Sequence, residues 1–279
     1  MLCPARRRVH ARAPAANANS RFECRIHYRV SGWGSGTPIL FSNSIGTDLR
    51  IWDAVVEMLG DGVRTIRYDT RGHGLSEHGD APSTIAGYAA DVAGLLDFLE
   101  IESTVVRGLS VGGMIAISRA AARPDRVRGL VLCDTAPRIG TDEMWNERVK
   151  AIAEDGLEAH AGPILERWFS GEFRENQRHQ LAAWRAMLVR TPKAGYLAVC
   201  AAVRDGDLTA QASAIGGPAL CVRGGEDAAT PPALVREMAA PIAESDFLSI
   251  DGAGHLPWIE QPAKMTAAIQ ALLKEKKLV

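Results

Sequence analysis

A chain of 279 residues, 47% hydrophobic and 23% charged, is long enough for one large α/β domain carrying an insertion. Its formal net charge of −1 gives no reason to expect nucleic acid or an anionic membrane surface as a partner. No apolar run approaches the roughly 18 residues that cross a bilayer, so no membrane partner is expected either.

Residues 1–20 stand apart. They hold Arg6, Arg7, Arg8 and Arg12 and no acid, and read as a disordered basic extension. A transit-like leader and a wrongly chosen upstream start codon are the competing readings. Structure is expected from about Arg21. Arg25–Val30 alternates as an antiparallel strand should, and Pro38–Phe41 has the continuous apolar character of a buried parallel strand. Ile51–Leu59 reads as a helix and Arg64–Asp69 as a strand. Ile85, Tyr88, Ala89, Val92, Leu95, Leu96 and Leu99 recur at helical spacing. A strand at Thr104–Arg107, a helix at Met114–Ala122 and a strand at Val127–Cys133 follow. The last two strands are Ala219–Val222 and Phe247–Ile250. Strands alternating with helices predict an α/β fold, a mostly parallel sheet flanked by helices. From 137 to 215 only helical pattern occurs. The expected organisation is therefore a core of 21–136 and 216–279 with an inserted helical cap at 137–215.

Five scattered cysteines, with no CxxC pair, suit a reducing cytoplasm better than a disulfide framework. Cys133 and Cys221 lie in apolar strand-like runs and read as buried core thiols. The spacing is wrong for zinc. No metal and no cofactor is expected.

Gly108-Leu109-Ser110-Val111-Gly112-Gly113 carries the chemistry. It has the G-x-S-x-G form of a serine on a sharp strand-to-helix turn, and its flanks supply the strand and the helix. A serine nucleophile needs a base, and the base an orienting acid. Of the seven histidines, His255 sits in Gly252-Ala253-Gly254-His255, directly after the last strand, at the sheet edge where open α/β sheets place their sites. Asp227 follows the penultimate strand and is the acid candidate, with Glu226 its neighbour and rival and Asp134 a second. Asp227 is favoured because Thr230-Pro231-Pro232 then opens a helix, with Thr230 as cap and Pro231 in the first turn, leaving Asp227 in the loop. Oxyanion donors are expected from the backbone N–H of Val111, after the nucleophile, and of Ser44, in the loop Ser42–Gly46.

With these residues in place the chain resembles the α/β-hydrolases, and within them the 3-oxoadipate enol-lactonases, from about Ile26 to Leu273. Tyr68-Asp69-Thr70-Arg71-Gly72-His73-Gly74-Leu75-Ser76, the serine turn, Asp227 and His255 carry the general likeness. Ser42–Trp52, Leu132-Cys133-Asp134-Thr135-Ala136, Trp145-Asn146-Glu147-Arg148, Glu166-Arg167-Trp168-Phe169, Cys200–Asp205, Asp227–Pro232 and Ile259-Glu260-Gln261-Pro262 carry the narrower one. The sequence departs from that pattern at Leu256-Pro257-Trp258, a change beside the histidine that bears on the shape of the pocket. The resemblance implies hydrolysis of a small-molecule enol-lactone to 3-oxoadipate in aromatic catabolism, through Ser110, His255 and Asp227. It also implies a substrate with a free carboxylate, for which Arg148 and Arg167 are the cationic candidates and Trp145 an apolar wall. Those arginines otherwise read as solvated helix faces. A carboxylesterase or other lactonase, a cofactor-free haloperoxidase-like hydrolase, and a binding module on the same fold remain the alternatives.

Overall fold

The strand-like runs gather into one sheet in the computed structural model, which describes residues 8–12, 24–80 and 83–278. In chain order the elements are β1 (Arg8–Arg12), β2 (Arg25–Ser31), β3 (Ile39–Ser42), α1 (Asp53–Leu59), β4 (Thr65–Tyr68), α2 (Ile85–Phe98), β5 (Thr104–Leu109), α3 (Val111–Ala122) and β6 (Val127–Cys133). Then come α4 (Asp142–Trp168), α5 (Gly171–Asn176), α6 (Arg178–Val189), α7 (Lys193–Arg204) and α8 (Thr209–Ser213). β7 (Ala219–Gly224), α9 (Pro232–Ala239), β8 (Ser245–Ile250), α10 (Pro257–Glu260) and α11 (Pro262–Glu275) complete the chain. The strand order is β1-β2-β4-β3-β5-β6-β7-β8. β1 and β2 are antiparallel additions to an otherwise parallel sheet.

The central strands carry apolar residues on both faces because both faces are covered. Ile39, Leu40, Phe41, Val105, Val106, Leu130, Val131 and Leu132 are all buried. α1, α10 and α11 pack together as one group of covering helices, and α2 and α3 as another. Between β6 and β7 the described structure is helical. α4 bends at Gly156, packs on α6 and α7, and puts Trp145, Ile152, Leu157 and Leu165 into the core.

Two expectations need correction. Arg8–Arg12, expected within a disordered extension, form β1 and pair with β2 from Arg8↔Arg29 to Arg12↔Arg25. An edge strand offers unpaired backbone groups to any extended segment, so a basic sequence with no apolar pattern of its own can still be recruited. The rest of the extension lies outside the described residues. The helix after β5 begins at Val111, three residues earlier than its apolar periodicity suggests, because the serine turn leads straight into it.

Candidate active site

The chain crosses from one side of β3 to the other between β4 and β5. That switch point opens a crevice at the carboxyl ends of the strands. Ser44 follows β3, Ser110 follows β5, Asp134 follows β6, Asp227 follows β7 and His255 follows β8.

Ser110 occupies the turn between β5 and α3 with φ 56 and ψ −120, a left-handed conformation that a serine adopts only under constraint. Its N–H donates to the Cys133 carbonyl (3.0 Å), and its own carbonyl accepts from the Gly113 N–H (2.8 Å) and the Thr135 hydroxyl (2.6 Å). The turn is also wedged from the side: a Cβ on Gly112 would run into the Ser42 carbonyl and stand 2.7 Å from that of Asn43. Glycine there lets the turn lie against the loop that carries Ser44.

That loop is braced by its own side chains. Asn43 donates to the Tyr68 carbonyl (2.7 Å) and accepts from the Trp52 indole (2.6 Å), while the Ser44 carbonyl takes the Thr47 hydroxyl (2.8 Å). Among the described residues, neither the Ser44 N–H nor the Val111 N–H donates a hydrogen bond. Two backbone donors thus remain uncommitted where the loop and the turn meet.

The Nδ1 of His255 lies 3.0 Å from Asp227 Oδ2, both residues buried. Asp227 Oδ1 accepts the Ala229 N–H (2.7 Å), and Oδ2 accepts from the Thr230 N–H (3.3 Å) and the Thr230 hydroxyl. Burial alone would push the Asp227 carboxyl up. The His255 imidazole, the Thr230 hydroxyl and the Asp134 carboxyl outweigh it and hold the group down at about 2. With Nδ1 committed to Asp227, Nε2 is the imidazole nitrogen left to take a proton. Among the described residues no hydrogen bond joins the Ser110 hydroxyl to that ring, a contact that commonly tightens only when substrate binds.

The rivals sort by exposure. Glu226 is exposed, and Asp134 is fully buried beside Asp227. Thr230 does not cap α9, whose N-cap is Pro231; its hydroxyl serves Asp227 instead. His27 makes a second buried His–Asp pair, 2.7 Å to Asp69, but on an antiparallel strand away from the serine turn. Asp134, Asp227 and His255 each bring a ligating atom within 4.8 Å of the others, and those atoms engage one another and backbone donors.

Three further residues were candidates for substrate contact. Trp145 is buried, its indole N–H given to the Ile139 carbonyl (2.6 Å). Arg148 is half-buried between two rings, 5.4 Å from the Trp145 centroid and 5.7 Å from that of Tyr196. Arg167 is exposed. Tyr196, which sequence reasoning passed over, links this group to the serine site. Its ring is 3.1 Å from where a Cβ on Gly46 would lie, and its buried hydroxyl has no hydrogen-bond partner. An apolar face on a helix masked it; an unsatisfied phenol becomes visible only in three dimensions.

Pro257 and Trp258, expected to reshape the pocket, pack inward. Trp258 is fully buried, 5.0 Å centroid to centroid from Trp52 and stacked on the guanidinium of Arg107. The large ring fills core volume between β5 and α1, which is why a bulky residue is accommodated beside the histidine.

Among the described residues no helix is long and apolar enough to cross a membrane. Cys24, Cys133, Cys200 and Cys221 are buried free thiols, and burial pushes Cys200 and Cys221 up to about 12.

Residues 32–269 match the family described as the alpha/beta hydrolase family. The 3-oxoadipate enol-lactonase 2 of Acinetobacter baylyi is 30% identical over 249 residues, 89% of this chain and 93% of that protein. The crystal structure of the enol-lactonase from Burkholderia xenovorans LB400 superimposes with a TM-score of 0.87 at 38% identity, covering 90% of this chain and 97% of that one. A thermophilic esterase from Thermogutta terrifontis, solved with malate bound, gives a TM-score of 0.87 at 30% identity over 97% of this chain and 99% of its own.

Proposed function

Because the chain belongs to the α/β-hydrolase family, we propose that it is a serine hydrolase of 3-oxoadipate enol-lactone, producing 3-oxoadipate in aromatic catabolism. The observation that carries the substrate half of this reading is Arg148. Its guanidinium is stacked on Trp145 and Tyr196, has no ion-pair partner among the described residues, and is linked through Tyr196 to the loop of Ser44. A cation held on ring faces keeps its in-plane N–H groups for a carboxylate. The activity named for the Acinetobacter protein, on 3-oxoadipate enol-lactone, supplies a lactone with such a carboxylate.

In this reading His255 Nε2 takes the Ser110 proton as Ser110 Oγ bonds to the lactone carbonyl carbon. The amides of Ser44 and Val111 receive the oxyanion. Collapse breaks the bond to the enol oxygen. The leaving group is an enolate, less basic than an alkoxide, so it departs readily; it takes the proton held by His255, which restores the neutral imidazole, and the enol becomes a ketone. Water, deprotonated by His255, attacks the acyl carbon; the Ser110–acyl bond breaks, and a carboxylate and free serine result. Asp227 holds the imidazole and balances its charge throughout.

The malate-bound esterase favours one second reading, hydrolysis of acyclic anionic esters by the same residues. The test is the loss of enol-lactone ultraviolet absorbance with purified protein, against Ser110→Ala. Rapid decay that requires Ser110 is expected. Cleavage of an aryl ester without lactone decay would keep the serine hydrolase and discard the lactone.

A further inference from the structure

Asp134 has no part in the reaction as written, yet it is tightly held. It is fully buried at the end of β6 and takes φ 45, in the left-handed region. Its N–H is spent on the Val222 carbonyl (2.9 Å). Its Oδ1 accepts the Gly224 N–H (2.7 Å), and its Oδ2 meets the Cys133 thiol (3.0 Å). The backbone twist and these bonds aim the carboxyl at Asp227, with a ligating atom of each residue and of His255 all within 4.8 Å of one another.

Two carboxylates in so small a buried space cannot both ionise unless a cation lies between them. Among the described residues Asp134 has no ion-pair partner, and the one titratable base in the cluster, His255, is bonded to Asp227. The titratable groups that face Asp134 are Cys133 at the end of β6, Asp227 after β7 and His255 after β8; the Cys133 thiol in turn acts on the buried Arg107 guanidinium of β5. Asp227 carries three donors from Ala229 and Thr230 besides the imidazole. Asp134 has a single backbone donor. The negative charge therefore settles on Asp227.

We propose that Asp134 is a positioning residue, a neutral carboxylic acid that donates its proton as a hydrogen bond to Asp227 and so fixes one shared negative charge opposite His255. This rests on the triad reading above. Burial and the neighbouring Asp227 charge also push the Asp134 carboxyl well above the usual range, and the Asp134 bond helps hold Asp227 down. The arrangement does for the acid what the acid does for the base. It fixes which oxygen of Asp227 faces Nδ1.

The experiment compares Asp134→Ala with Asp134→Asn, whose amide donates to Asp227 and accepts from Gly224 but carries no proton to lose. kcat/KM on the cleaved substrate is measured against pH. The imidazole titration of His255 is followed by proton resonance in a Ser110→Ala background. Asp134→Ala is expected to lower kcat/KM at least about tenfold and shift the imidazole titration to higher pH, since an undonated carboxylate is a stronger partner. Asp134→Asn is expected to rescue the rate and leave the titration where the wild-type sequence has it. A titration that falls by about one pH unit in Asp134→Asn would mean that an anion had been removed, and would overturn the proposal. So would an asparagine variant as slow as the alanine one. Full activity of Ser110→Ala would defeat the triad reading instead, and the resonance titration would still decide the state of Asp134.

Discussion

The amide of Ser110 is tied to the carbonyl of Cys133 at 3.0 Å, so the serine turn hangs from the last residue of the strand that leads into Asp134. Ser110 is held by backbone, and its hydroxyl is free of the holding. Removing the hydroxyl should therefore remove chemistry without unfolding the turn. Ser110→Ala is expected to keep its thermal midpoint within a few degrees and lose about 10³-fold or more in kcat. A fluorophosphonate should label the wild-type protein once, at Ser110, and leave the variant untouched. Labelling elsewhere would assign the nucleophile to another residue.

Gly112 tests the contact between the turn and the Ser44 loop. A methyl there meets the carbonyls of Ser42 and Asn43, which are backbone and cannot swing away. Gly112→Ala is expected to push the Ser44 and Val111 amides apart and, if they receive the oxyanion, lower kcat by about 10²-fold, the typical effect of losing one such donor. KM should change far less. A variant with unaltered kcat would move the oxyanion site away from Ser44.

Arg148 separates substrate charge from chemistry. If its guanidinium meets the substrate carboxylate, Arg148→Ala removes a charge-assisted bond worth about 1.5–3 kcal/mol, or about 10–100-fold in KM for the lactone. KM for an uncharged aryl ester should hardly move. Equal effects on both substrates would return Arg148 to packing between Trp145 and Tyr196.

Glu260 joins the histidine loop to the helical insertion. Its Oε1 accepts the Gly254 N–H (2.7 Å), and its Oε2 accepts the Ser170 N–H (3.1 Å) and hydroxyl (2.5 Å). Glu260→Ala strips three donors of a half-buried acceptor and is expected to cost about 2 kcal/mol in denaturant unfolding. It should also slow turnover more than Ser170→Ala, which leaves the bond to Gly254 beside His255 in place. The reverse ranking would give Glu260 a role in the insertion alone.

The sequence makes legible whatever depends on local chemistry. The sharp turn at Ser110 is readable because Gly108 and Gly112 flank it between an apolar strand and a helix. Asp227 and His255 follow from their places after consecutive strands. The parallel sheet follows from runs such as Val105–Val106 and Leu130–Leu132, apolar on both faces. What stays hidden depends on distant partners. Thr230 looks like a helix cap until Asp227 is beside it. Trp258 looks like a pocket wall until Trp52 and Arg107 close around it. Tyr196 and Asp134 look like core and loop, since neither an unpaired phenol nor a crowded carboxyl leaves a mark in one dimension.

The loop before α2 offers a test of stability against pH. His73 is buried, with its Nε2 lacking a hydrogen-bond partner, and burial lowers it from 6.5 to about 4 despite the Arg71 carbonyl and the charges of Asp69 and Asp48. Between those values the unfolded chain binds a proton that the native ring does not. Stability is thus lost as pH falls from about 6.5 towards 4, by about 3 kcal/mol at 1.36 kcal/mol for each pH unit. Asp91 gives a slope of the opposite sign. Burial pushes it up to about 6 even with the Arg71 guanidinium at 2.9 Å, so the native state takes up its proton first. The comparison must therefore be wild type against His73→Gln, in which the Asp91 contribution cancels. The variant is expected to be the less stable protein at pH 7 and to close most of the gap, or reverse it, by pH 4.5. A stability difference that stays constant over that range would mean that His73 is protonated in the folded protein as readily as in the unfolded one.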